Sequence, residues 1–308
     1  MTAFPDADPA VPGTAPAVSG IGPAVPMIDP ELVEGIAGTL TPHLPSTPLD
    51  VATVRAIDDR LRVEVAPAVE PQFVSLDGLQ LRVHGSGAGC VLWIHGGGMF
   101  LGSAAIDDAF CCGLAAALNA TVVAVDYRLA PEHPHPAPLH DCRTALAWCA
   151  ANYEKVVVAG GSAGGGLAAA LCLLARDEGG PAIAAAHLYY PMLDDRTVTG
   201  DAPVWNGRLA TVAWNAYLGG NPADAYAAPA RAADLAGLPP TYLDTGELDL
   251  FRDEDVGFAQ RLEAAGVEVR FECWPGAVHA FERIAPGAAV SRTAVERRRN
   301  ALARDLSW

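Results

Sequence analysis

Residues 155–166 read KVVVAGGSAGGG, and their order decides the fold. The apolar run from Lys155 to Ala159 predicts a short strand buried on both faces. It ends at Gly160-Gly161-Ser162-Ala163-Gly164, a G-x-S-x-G, and passes into a small-residue segment that predicts a helix to about Arg176. Strand, sharp turn and helix are the context in which this motif lifts a serine hydroxyl clear of a sheet edge. The turn leaves no room for bulk two residues either side, and the helix N-terminus aims amide N–H groups at charge developing nearby. A glycine-rich turn with a capping serine, or a phosphate-binding loop, uses similar residues. Neither a Gly-Lys-Ser/Thr nor a G-x-G-x-x-G with an acidic residue placed for ribose occurs here.

Upstream, Cys90 to Ile94 forms a second apolar run, ending at His95-Gly96-Gly97-Gly98. Adjacent glycines let backbone amides approach a substrate oxygen without side-chain interference. With the amide of Ala163, those of Gly97 and Gly98 supply three donors for an oxyanion. His95 is read as ordering this loop, with Gly96, Gly160 and Gly164 as the small residues that the two turns require. A nucleophilic serine needs a histidine base and an acid to orient it, which in this fold class follow in the order Ser, Asp/Glu, His. Two histidines follow Ser162. His187 falls within a predicted strand and reads as a core residue, whereas His279 lies in a loop after the last strand and is the candidate base. Asp244, Glu247, Asp249, Asp253 and Glu254 all end or follow the run from Thr241. Asp253 and Glu254 suit a helix start, and position alone does not separate Asp249 from Glu247.

The rest of the chain keeps the same rhythm. Phe73 to Ser75 and Leu79 to Val83 alternate about Asp77-Gly78 and predict a hairpin. Strands are expected at Thr121 to Val125, Ile183 to Tyr189, Thr241 to Asp244 and Glu268 to Cys273. Helices are expected over 105–118, Leu139 to about Ala151, Glu254 to Ala265 and Ala289 to Leu306. Short strands alternating with helices predict an α/β fold, a mostly parallel sheet covered on both faces. Two earlier helices, Asp29 to about Leu40 and Leu49 to Val63, and the segment from Leu193 to about Arg231, fit this rhythm poorly and are candidates for a cap. Residues 1–28, rich in Pro, Ala and Gly, are expected to be loosely packed.

Of 308 residues, 51% are hydrophobic and 18% charged, which argues against wholesale disorder. The formal net charge of -16 disfavours nucleic acid, anionic membrane surfaces and polyanionic substrates. Seven cysteines, an odd number without a CxxC pair, suggest neither a disulfide framework nor a zinc knot. They suit a reducing compartment and hence the cytoplasm. No secretory signal is expected, and Ala163 to Ala175 is too short and glycine-rich to span a bilayer. His133-Pro134-His135 reads as a rigid loop rather than a metal site. Residues 126–138 are expected to pack near the site, with Arg128, Glu132 and Asp141 forming enclosed polar links. Trp205, Trp214 and Phe100 suit an acyl pocket or the core equally. Arg297-Arg298-Arg299 reads as a solvated helix face, or as a subunit contact in a homodimer.

Taken in order, several motifs resemble the bacterial hormone-sensitive-lipase-like esterases. They are His95-Gly96-Gly97-Gly98, Asp126-Tyr127-Arg128-Leu129-Ala130-Pro131-Glu132, Gly161-Ser162-Ala163-Gly164-Gly165, Tyr190-Pro191 with Asp194-Asp195-Arg196, Asp249 ahead of Arg252-Asp253-Glu254, and His279-Ala280-Phe281. They span roughly residues 70–285. The resemblance implies an α/β-hydrolase fold with a helical cap, Asp249 as the acid, and Gly97, Gly98 and Ala163 as oxyanion donors. It implies one α/β-hydrolase domain over 1–308, with cap elements at about 1–50 and 193–230 and a core at about 70–192 and 231–308. It also implies hydrolysis of short to medium acyl esters by Ser162, Asp249 and His279, with no metal or organic cofactor. Amidase, lactonase or deacetylase chemistry on a bulkier substrate, or a non-catalytic ligand-binding protein, are the alternatives. Two positions depart from the family pattern. Gly161 replaces the usual acidic residue before the serine, so a hydrogen bond steadying the elbow or cap is expected to be lost, and Ala280 replaces the usual glycine after the histidine.

Overall fold

The computed structural model describes residues 27–63 and 65–307, so the expectation for the N-terminal tail falls mostly outside the described residues. Eight strands form one sheet: β1 (Gln72–Leu76), β2 (Leu79–His84), β3 (Cys90–Ile94), β4 (Thr121–Asp126), β5 (Val156–Gly161), β6 (Ala185–Tyr189), β7 (Thr241–Gly246) and β8 (Val269–Trp274). Their spatial order is β1-β2-β4-β3-β5-β6-β7-β8. The hairpin β1–β2 turns at Asp77 and Gly78, both at positive φ, as an Asp-Gly two-residue turn demands. β2 pairs antiparallel with β4, and every pairing from β4 to β8 is parallel.

The nine α-helices among the described residues are α1 (Val33–Ile36), α2 (Val51–Leu61), α3 (Asp108–Leu118), α4 (Ala137–Asn152), α5 (Ala163–Glu178), α6 (Gly207–Leu218), α7 (Arg252–Ala264), α8 (Phe281–Ile284) and α9 (Ala289–Leu306). Alternation along the strands sorts the core into two layers. Val91 and Trp93 of β3 pack with Leu114 of α3 and Leu302 of α9 on one face. Leu92 and Ile94 pack with Leu146 of α4 and Leu167 of α5 on the other. Strands this apolar on both sides need helices on both faces to keep them from water.

One cap expectation is modified. The helix expected from Asp29 to Leu40 is a 3₁₀ turn at Pro30–Leu32 followed by the single turn α1. Asp29 does cap it, accepting from the Glu31 amide at 2.9 Å. Gly35 and Gly38 are poor helix formers, and a Cβ on Gly35 would lie 2.3 Å from the Ile284 carbonyl oxygen. In the segment after β6, the described residues form α6 and a 3₁₀ turn at Pro229–Arg231, and Asn206 caps α6 by accepting from the amides of Arg208 and Leu209. α2 is fastened across the strand ends by Arg55, which bonds the carbonyls of Phe100 and Ala130 and pairs with Glu132 at 2.6 Å.

Candidate active site

Parallel strands present their C-terminal ends together, and four of these ends, those of β3, β5, β7 and β8, build the site. β5 runs into α5 through Ser162, whose φ of 56° and ψ of -122° belong to a region that non-glycine residues seldom occupy. Such a conformation costs on the order of 1–3 kcal/mol and persists only where surrounding contacts over-determine it. The Ser162 amide donates to the Tyr189 carbonyl at 2.9 Å, and the Ser162 carbonyl accepts from Gly166 and Met192 at 3.0 Å each. Close approach explains the small neighbour: a Cβ on Gly164 would stand 2.0 Å from the Ile94 carbonyl oxygen.

His279 lies in the loop between β8 and α8. Its Nε2 stands 2.9 Å from Ser162 Oγ, and its Nδ1 stands 2.7 Å from Asp249 Oδ2. All three residues are buried, with Ser162 7% exposed and His279 4%. The other carboxylate oxygen of Asp249 accepts from the Phe251 amide at 3.0 Å, which fixes the carboxylate plane. Glu247, the alternative acid, turns elsewhere and accepts from the Gly276 amide at 2.9 Å. His187 is fully buried in β6 and bonds Asp305 at 2.8 Å, so it stands apart from this cluster.

The loop after β3 carries Gly97 at φ 109° and Gly98 at φ 60°, a backbone path that glycine follows without strain. Among the described residues, the amides of Gly97, Gly98 and Ala163 have no hydrogen-bond acceptor, so three donors near Ser162 remain unspent. His95 is buried, bonds the Gly96 carbonyl through Nδ1 at 2.8 Å and stacks on Tyr127 at 4.1 Å. Burial pushes its pKa down, so it is neutral and orders the loop. The Tyr127 hydroxyl donates to the His95 carbonyl at 3.0 Å, and the Ala130 amide donates to Met99 at 2.9 Å. Residues 126–138 therefore do brace the glycine loop. Arg128 and Asp141 pair at 2.8 Å as expected, but Glu132 is more than half exposed and pairs with Arg55 instead. In the rigid loop, His135 sits 3.2 Å from the Tyr217 hydroxyl.

A cavity of about 310 Å³ opens over Ser162 and His279. Leu40, Leu61, Ile106, Val204 and Trp205 are among its apolar lining residues. Trp205 therefore faces the cavity, while Trp214 and Phe100 lie in the core. Arg283 and Asp107 also line it and form an ion pair at 2.5 Å. Asp107 takes a second bond from Trp93 Nε1 at 2.7 Å. Burial alone would raise the Asp107 pKa, but Arg283 and Trp93 together outweigh it and hold the carboxylate ionised.

One sequence expectation is overturned. Arg298 is not on a solvated face: it is 5% exposed and forks onto Asp244 through Nε at 2.6 Å and Nη2 at 2.9 Å. Arg297 beside it does face outward, pairing with Glu272 at 2.9 Å. Tyr190, legible in the sequence only as part of a motif, lies edge-on to the His279 ring at 4.9 Å.

Known proteins resemble this chain in sequence and fold. A family described as alpha/beta hydrolase fold matches residues 91–283. The carboxylesterase NlhH of Mycobacterium tuberculosis is 35% identical over 223 residues, covering 65% of this chain and 69% of that protein. The arylesterase of Saccharolobus solfataricus is 32% identical over 218 residues, covering 63% and 68%. Among solved structures, a bacterial heroin esterase superposes with a TM-score of 0.82 at 37% identity, covering 92% of this chain and 99% of its own. The esterase LipW of Mycobacterium marinum superposes with a TM-score of 0.77 at 32% identity, covering 90% and 96%. The chain belongs to the α/β-hydrolase fold family, in its hormone-sensitive-lipase-like branch of bacterial carboxylesterases.

Proposed function

We propose that Ser162, His279 and Asp249 hydrolyse short to medium acyl esters through an acyl-enzyme. The observation that carries this reading is the unbroken hydrogen-bonded line from Ser162 Oγ through His279 to Asp249, at 2.9 and 2.7 Å. In the first step His279 Nε2 takes the Ser162 proton as Oγ attacks the ester carbonyl, while Asp249 holds the imidazole with its proton on Nδ1. The carbonyl oxygen becomes an oxyanion facing the amides of Gly97, Gly98 and Ala163, each a donor of the kind whose loss costs about 3 kcal/mol. His279 then protonates the departing alcohol. In the second step it deprotonates water, which attacks the acyl-serine and regenerates the enzyme.

The cavity supports the choice of acyl length. Its volume of about 310 Å³ stands at the small end of the range of roughly 300–1,000 Å³ over which ligand pockets extend. Its apolar walls favour an alkyl or aryl substituent over a charged one. A purely ligand-binding role is opposed by the retention of nucleophile, base and acid in bonding contact. Hydrolysis of p-nitrophenyl esters from acetate to laurate tests this reading. A maximum in kcat/KM at butyrate or hexanoate is expected; a preference for laurate, or for amides or lactones over every ester, overturns it.

No helix among the described residues is long and apolar enough to cross a membrane, and all seven cysteines are free thiols. We place the enzyme in the cytoplasm on that basis, where reduced thiols persist. We also propose a homodimer, with the exposed edge of α9 at Arg297 as its contact; sedimentation at a single monomer mass across micromolar concentrations overturns that proposal.

A further inference from the structure

The missing side chain at position 161 is occupied space. A Cβ built on Gly161 would stand 3.2 Å from Tyr190 Cε2 and 3.4 Å from its hydroxyl. The Tyr190 ring thus rests on the backbone that precedes the nucleophile and meets the His279 ring edge-on, centroid to centroid 4.9 Å. Tyr190 holds φ at 37°, and its amide donates to the Asp244 carbonyl at 2.6 Å, so the backbone aims the ring into this gap. Its hydroxyl donates to Glu282 Oε1. Burial, reinforced by Glu282, raises the hydroxyl pKa far above neutrality, so the phenol remains a neutral donor.

Glu282 is held in turn. Its Oε1 pairs with Arg298 Nη1 at 3.0 Å, and Arg298 forks onto Asp244. The guanidinium also lies over the rings of Tyr189 at 4.3 Å, Tyr190 at 5.2 Å and Phe281 at 5.6 Å. Asp244 completes the chain by accepting from Trp274 Nε1 at 3.2 Å. A continuous buried path therefore runs from α9 to the His279 ring, on a side of the imidazole that Asp249 does not hold.

We propose that Tyr190 and Glu282 are positioning residues for His279: Tyr190, seated on Gly161 and tethered through Glu282 to Arg298, fixes the imidazole plane and places one further negative charge near it. This rests on the reading of His279 as the base. The groups around the imidazole are Asp249 and Ser162 on its two nitrogens, the neutral rings of Tyr190, Phe251 and Trp205, and, one residue further out, Glu282 with Arg298 and Arg283 with Asp107. Neutralising Glu282 leaves Arg298 balanced by Asp244 alone. The local field becomes more positive, and protonation of His279 becomes harder.

The test uses Tyr190→Phe and Glu282→Gln, with Arg297→Gln on the exposed face of α9 as control. Two readouts are taken: kcat and KM on p-nitrophenyl butyrate across pH, and the ionisation midpoint of His279 by NMR of ring-labelled histidine, assigned with His279→Gln. Tyr190→Phe is expected to lower kcat about tenfold with KM within about twofold, because a loosened base loses near-attack geometry. Glu282→Gln is expected to lower the His279 midpoint by about half a pH unit, the acid limb of kcat moving with it. The control moves neither. Unchanged kcat in Tyr190→Phe together with an unmoved midpoint in Glu282→Gln overturns the proposal. A drop in Tm with both of those readouts unchanged overturns it equally, because the network is then structural alone. A wild type inactive on every ester refutes the functional reading instead, and the His279 midpoint, which needs no turnover, still decides this one.

Discussion

Replacing Asp249 by Asn changes one atom and should disable the base through tautomer choice. The Phe251 amide donates to Asp249 Oδ1 at 3.0 Å while Oδ2 faces His279 Nδ1 at 2.7 Å. An asparagine keeping its oxygen toward Phe251 turns its NH₂ to Nδ1. The imidazole must then carry its proton on Nε2, facing Ser162, and cannot accept another. The flipped amide restores the tautomer but sets NH₂ against the Phe251 amide, leaving a buried donor unsatisfied at a cost of about 1–3 kcal/mol. Loss of the carboxylate's charge-assisted bond to the imidazolium removes about 1.5–3 kcal/mol more. The sum, about 2.5–6 kcal/mol, corresponds to a fall of about 10²–10⁴ in kcat, a range that includes the effect of the same exchange in serine proteases. KM and Tm should change little, since shape and burial are preserved. Initial rates on p-nitrophenyl butyrate with active-site-matched protein measure it. A loss smaller than about 30-fold, with the fold intact, refutes the tautomer argument.

Two further substitutions probe strain and buried charge. Ala280 sits at φ 53° at the start of α8, a left-handed conformation costing an L-residue about 1–2 kcal/mol; Ala280→Gly should raise stability by about 0.5–1 kcal/mol in urea unfolding, after the entropy of glycine is offset, and leave KM unchanged. Burial pushes the Glu254 carboxyl up to about 8, although its Oε1 accepts from the amides of Leu193 and Asp194. Because the folded pKa lies above the unfolded one, the native state binds the extra proton, and stability falls as pH rises from about 4.5 to about 8, at up to about 1.4 kcal/mol per pH unit. Glu254→Gln keeps an acceptor for both amides and should flatten that slope; an identical slope in wild type and variant places the effect elsewhere.

How much was legible follows from how local each signal is. The elbow at Ser162 and the glycine loop at 96–98 are contiguous motifs between apolar runs, and the structure puts both at the C-terminal ends of β5 and β3. Asp249 and Glu247 stand two residues apart, so composition could not choose; only the direction of their side chains, toward His279 and Gly276 respectively, separates them. Arg298 was misread because three consecutive arginines suggest a wet face. The buried positions of α9, at Ser291, Ala294, Arg298, Ala301 and Leu302, nevertheless follow helical spacing, and that stripe was the available signal. Glu132, expected in an enclosed link, is more than half exposed, because its partner Arg55 reaches it at the surface from 77 residues upstream. Tyr190 gave no signal beyond its motif, since its role depends on a gap at Gly161 that only the folded chain displays. Short apolar runs bounded by turn residues thus specified the sheet, while long-range polar pairings needed coordinates.

Whether Ser162 is the acylated nucleophile is decided by intact-mass measurement after treatment with a fluorophosphonate. Wild-type protein is expected to gain one adduct, mapped to the peptide holding Ser162, and to lose p-nitrophenyl butyrate hydrolysis in step with labelling; folded Ser162→Ala should take no adduct and hydrolyse no ester above background. An adduct on Ser162→Ala, or ester hydrolysis by that variant at a rate near wild type, would contradict the account.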